Sequence, residues 1–61
     1  MTNLTDKELK ALEDLIGTEQ LSISKYKSYA SMTSDPKIKA QCEQIAARHQ
    51  NHFTRLMSFL G

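Results

Sequence analysis

Residues 33–37 read TSDPK, and this is where small polar residues meet the chain's single proline. Asp35 has the short carboxylate that accepts from the free N–H groups of a helix start. Pro36 suits the first helical position, where no N–H is needed and φ is already helical. The pair therefore closes whatever precedes it and opens a helix at Pro36. Outward from this turn, backbone punctuation is scarce: 61 residues hold two glycines and one proline, so most of the chain is free to be helical. Thr5 and Glu8 have the S/T-x-x-E spacing of a capping box, which places the start of a first helix near Asp6. Gly61 follows the last apolar residues, so the second helix is expected to end at about Ser58 or Leu60. The sequence thus predicts an all-α, single-domain chain, with helix one over about 6–32, a turn over about 33–35 and helix two over about 36–60. Gly17 inside helix one costs about 1 kcal/mol relative to alanine, which a neighbouring helix passing close by would explain.

Apolar residues recur on both helices in steps of three and four. Helix one carries Leu9, Leu12, Ile16, Ile23, Tyr26 and Ala30 in this rhythm, and helix two carries Ile38, Cys42, Ile45, Leu56 and Phe59. This is the pattern of left-handed, near-parallel or antiparallel helix packing at about 20°. Leu15 and Tyr29 on one helix, with Ala46, Phe53 and Leu60 on the other, widen each face beyond what one neighbour can cover. A short connection makes the helices antiparallel partners, and two helices alone leave much of these faces in water. The expected solution is a homodimer forming a four-helix bundle.

Composition supports this. A domain of this size hides only about 60% of its unfolded surface, and such folds usually need a disulfide, a metal or oligomerisation. The single cysteine, Cys42, rules out an intrachain disulfide. It lies about two turns from the bundle centre, too far from a symmetry mate for an intermolecular one, so a free thiol is expected. Eight Lys plus Arg against seven Asp plus Glu give a net charge of +1, with no basic stripe for nucleic acid. The N-terminal MTNLTDKELK is polar, and no apolar run approaches the roughly 20 residues needed to cross a bilayer. A soluble, cytoplasmic protein is expected.

Three residues break the apolar rhythm: Glu19, His49 and His52. In a hairpin turning at 33–35, residues face each other when their numbers sum to about 68, so Glu19 meets His49 and Ile16 meets His52. The polar residues therefore share one inward-facing layer near the middle of both helices. A buried carboxylate must be paired, and histidine can supply the donor; the layer then serves as a polar network that fixes the register. Imidazole nitrogen with carboxylate oxygen is also a metal-ligand set, suited to zinc, iron and similar ions. Both readings stand at this point.

The stretches LTDKELKALEDLIGTEQLSISKYKSYA and DPKIKAQCEQIAARHQNHFTRL, with its H-x-x-H, give the whole chain a likeness to a family. It resembles the short Coat F-type spore coat proteins of endospore-forming bacteria, whose domain is placed with the ferritin-like helical bundles. The resemblance implies a ferritin-like four-helix bundle, here a homodimer, located in the spore coat with other coat proteins as partners. Ferritin-like di-iron proteins use one Glu on one helix and Glu-x-x-His on the next. Glu19 matches the first, His52 the last, and His49 stands where the second glutamate would be. An imidazole nitrogen has one lone pair and cannot bridge two metals as a carboxylate does, so a carboxylate-bridged di-iron centre is not implied.

The remaining residues suggest no reaction. Tyr26 and Tyr29 read as packing residues, Cys42 as a small buried hydrophobe, and Met32 and Met57 as packing fillers. Lys25, Lys27, Lys37, Lys39, Arg48 and Arg55 read as a solvated face. There is no nucleophile–base pair, glycine-rich phosphate loop or CxxC. Two functional readings result: a structural or interaction module related to spore coat proteins, and a metal-binding protein with a central site in the dimer, where Glu19, His49 and His52 of both copies converge as ligands, in redox or storage chemistry. An enzyme is not indicated.

Overall fold

The computed structural model describes residues 4–61 as an all-α helical hairpin, with α1 over Asp6–Met32 and α2 over Pro36–Ser58. Both starts follow from the local chemistry. The Thr5 backbone N–H donates to Glu8 Oε1 at 3.0 Å, and the Glu8 N–H donates to Thr5 Oγ1 at 3.1 Å, completing the capping box. At the turn, Asp35 Oδ1 accepts from the N–H groups of Lys37 and Ile38 at 2.8 and 3.3 Å. Thr33 closes α1 by donating its N–H to the Tyr29 carbonyl, and its hydroxyl accepts from the Asp35 N–H. Two of the three linking residues, Thr33 and Asp35, therefore end one helix and begin the next.

At its far end α2 stops at Ser58, the nearer of the two expected positions. The N–H groups of Phe59 and Leu60 turn back to the carbonyls of Leu56 and Met57, tightening the last turn. Leu60 lies beyond the helix.

The core is thin. Among the described residues, Leu12, Ile16 and Ala30 from α1 and Cys42 and Ala46 from α2 are buried, and no large side chain is fully enclosed. Ile23, Tyr26, Ile45, Phe53 and Leu56 surround them half-buried. The outer members of the apolar stripes, Leu9, Leu15, Tyr29, Ile38, Phe59 and Leu60, stay between 37% and 52% exposed. Two further expectations need correction. Nothing lies within 4 Å of a Cβ built on Gly17, so no close helix explains that glycine within the hairpin. Met32 and Met57 are exposed rather than packing fillers, because they lie off the apolar stripes, about 200° round α1 from Ala30 and about 100° round α2 from Leu56. Among the described residues, no helix is long and apolar enough to cross a membrane.

Candidate functional site

α1 and α2 rise from a common turn at equal pitch, and this brings residue 19 level with residue 49. His49 Nδ1 lies 2.7 Å from Glu19 Oε1, a short, charge-assisted distance. An ionised carboxylate can only accept, so a hydrogen bond at this distance requires the form of His49 that carries a proton on Nδ1. His52, one turn further along α2, brings its Nδ1 to 3.5 Å from the same oxygen. That is ion-pair range rather than a strong hydrogen bond. All three residues identified from the sequence are therefore gathered at one carboxylate oxygen.

Their depths differ. The Glu19 side chain is 17% exposed and that of His49 26%, but that of His52 is 48% exposed. His52 thus departs from the inward orientation expected of it. Three residues advance a helix by about 300° rather than a full circle, so with His49 aimed across the seam, His52 is turned toward its rim. The layer is an edge site on one face of the hairpin rather than a closed core network. No buried side-chain nitrogen or oxygen lacks a partner among the described residues, so the half-buried carboxylate is compensated.

Aromatic rings hold the histidines from the side. Tyr26 stacks on His49 with ring centroids 6.0 Å apart and planes 13° from parallel, while Tyr29 meets Tyr26 edge-on at 5.7 Å. The His49 and His52 rings are also edge-to-face at 5.7 Å. Tyr26 packs, as the sequence suggested, but its contact with His49 was not anticipated. The available signal was the seven-residue interval between Glu19 and Tyr26, which puts both on one line along α1. Cys42 is buried and free.

Such a cluster can do two things. It can hold a carboxylate in an otherwise apolar seam, and it can ligate a cation. One donor atom from each of Glu19, His49 and His52 lies within 4.8 Å of the others. A tetrahedral site with bonds of 2.0–2.1 Å needs donors about 3.3 Å apart, and the two separations from the Glu19 oxygen, 2.7 and 3.5 Å, bracket that value. The fold and site together define a class: a two-helix hairpin with a Glu/His cluster spanning its helices. No protein-family model, curated protein or solved structure matches the chain.

Proposed function

We propose that the chain is a structural and interaction module that pairs with a second copy of itself to complete a ferritin-like four-helix bundle, in the manner of short Coat F-type proteins of spore coats. The observation supporting dimerisation is excess surface. A compact monomer of 6.9 kDa exposes about 4,000 Å². The hairpin exposes 4905 Å², roughly 900 Å² more, close to the roughly 800 Å² per partner that a standard interface hides. Its Cα radius of gyration is 14.3 Å against about 10.5 Å for a compact chain of this length.

The two broad faces are not equivalent. One has a shallow groove bordered by Lys27, Lys39, Glu43 and Gln50. The other presents two lines of residues at seven-residue spacing: Leu15, Ser22 and Tyr29 on α1, and Ile38, Ile45, His52 and Phe59 on α2. Leu15, Tyr29, Ile38 and Phe59 are the large, half-exposed apolar residues of that face, and a second copy placed on it about a two-fold axis would cover the same residues on both chains.

Sedimentation equilibrium on tag-free protein tests the pairing. A concentration-dependent dimer is expected, and a folded monomer persisting at high micromolar concentration would reject it. Recovery of the protein in coat extracts of purified spores is the expected result for the coat role. Confinement to vegetative cytoplasm would reject that role while leaving the dimer in place.

A further inference from the structure

We infer that Glu19, His49 and His52 bind one divalent transition ion of the zinc class per hairpin, through one carboxylate oxygen and the two Nδ1 atoms, a three-donor set that leaves a fourth position to another ligand. Two imidazole nitrogens and one carboxylate oxygen are a borderline donor set that suits zinc and its neighbours better than calcium or magnesium, which prefer all-oxygen shells. The donor atoms are already gathered: both Nδ1 atoms approach the same Glu19 oxygen, at 2.7 and 3.5 Å. Opening the first distance by about 0.6 Å and shortening the second by about 0.2 Å brings both nitrogens to tetrahedral spacing from the Glu19 oxygen, and the two imidazole donors, which lie within 4.8 Å of each other, must come to about 3.3 Å as well. Side-chain torsions supply shifts of that size without moving either helix.

The site is mononuclear because of its donor count. Each imidazole offers one nitrogen lone pair at Nδ1, and the cluster contains one carboxylate. A second ion would find no bridging oxygens beyond those of Glu19. It is also intrachain, since every ligand comes from the same hairpin. Binding requires the Nδ1 lone pair of each imidazole to face the ion, so in the bound form each ring carries its proton on Nε2.

Two features of the surroundings favour binding over a purely structural pair. The stacked Tyr26 ring restrains His49 in its orientation toward Glu19, as supporting contacts do around metal ligands. In the unpaired hairpin His52 is 48% exposed, giving an ion a route from solvent before a second copy covers that face. The ion would join α1 to α2 near mid-length in a chain with five buried core residues, the kind of staple a fold this small lacks.

Titration of tag-free protein with zinc by calorimetry, and with cobalt followed by visible absorption, tests the assignment. One equivalent per chain is expected, with the intense d–d bands of a low-coordinate cobalt centre and a rise in melting temperature. Glu19→Gln and His52→Ala should each weaken zinc binding by more than about a hundredfold, beyond the ten- to hundredfold cost of losing an outer-shell partner. Tyr29→Phe should bind as the parent does, and far-UV circular dichroism verifies that each variant is helical. Absence of binding overturns the inference, as does undiminished affinity in folded His52→Ala. Half an equivalent per chain would mean an ion shared between two chains, and two equivalents a dinuclear centre; either also overturns it. Sedimentation on the same samples keeps the dimer separate, because an intrachain site binds one ion whether or not the hairpins pair.

Discussion

Leu15 offers a quantitative test of which face the second copy covers. Replacing leucine by alanine removes three carbons, about 2.4 kcal/mol of burial when the side chain is fully enclosed, at about 0.8 kcal/mol per methylene. Leu15 is 52% exposed in the hairpin. Roughly half of that energy, about 1.2 kcal/mol, is therefore already gained within the chain and is lost from hairpin stability in Leu15→Ala. The other half is gained only on dimerisation, once per copy, so the dimer loses about 2.5 kcal/mol. At 1.4 kcal/mol per tenfold, its dissociation constant rises about sixtyfold. Leu21 is the control. It is 74% exposed and lies six residues on, about 240° round α1 from Leu15, away from the proposed interface. Leu21→Ala should leave the dimer constant unchanged. Sedimentation equilibrium over a wide concentration range measures both, using the absorbance of the two tyrosines. A dissociation constant within about threefold of the parent for Leu15→Ala, where about sixtyfold is expected, would refute the choice of face. So would equal weakening by Leu21→Ala.

The local devices of the hairpin give further expectations. Asp35→Ala removes the acceptor for two α2 N–H groups and should cost about 1 kcal/mol in chemical denaturation; an unchanged midpoint would mean that Pro36 alone starts the helix. The Thr5 backbone N–H that donates to Glu8 holds the Glu8 carboxyl below its usual range. A lowered folded-state pKa means that this contribution is complete above the ordinary carboxyl pKa and is lost as pH falls through the lowered value. Amide resonances of the first α1 turn should therefore report fraying on acidification. Glu8→Gln, which retains an acceptor for the cap, should show little of that pH response; identical curves would assign the fraying to another group. Gly17→Ala, with open space around the added methyl, should stabilise the chain by about 0.5–1 kcal/mol. A loss of stability would instead reveal that something packs against that side of α1.

The hairpin was readable because its signals are local and redundant. The Thr5–Glu8 box and the Asp35–Pro36 pair each satisfy N–H groups within their own first turn, so no distant contact could shift those boundaries. The Glu19–His49 pairing was readable for a related reason: an unbroken rise from a three-residue turn leaves little freedom in register. The inward orientation expected of His52 failed because a heptad stripe approximates a helix whose steps of three and four are not equivalent. A step of three falls short of a full turn by about 60°, enough to move a side chain from seam to rim when only one helix faces it. Met32 and Met57 failed for a different reason. Both lie off the three-and-four stripes, two residues past Ala30 and one past Leu56, so the helix turns them away from the seam whatever their apolar character. The stacking of Tyr26 on His49 depends on side-chain torsions, which periodicity does not encode.

The polar layer also bears on how one register is selected. Outside it, the facing positions are largely leucine, isoleucine, alanine and aromatic residues, which tolerate sliding because one apolar surface substitutes for another. Sliding α2 by one turn would bring Ile45 or Phe53 opposite Glu19, leaving a half-buried carboxylate without its donor, at a cost of about 1–3 kcal/mol or more for a charged group. With five residues forming the buried core, a penalty of that size rivals the packing differences between registers. The Glu19–His49 pair thus discriminates against the slipped hairpin without having to stabilise the correct one. An ion held at the same three residues would act in the same direction, since the slipped register separates the carboxylate from both imidazoles. Register selection and metal binding therefore require the same geometry, and a sequence kept for either would carry the layer seen here.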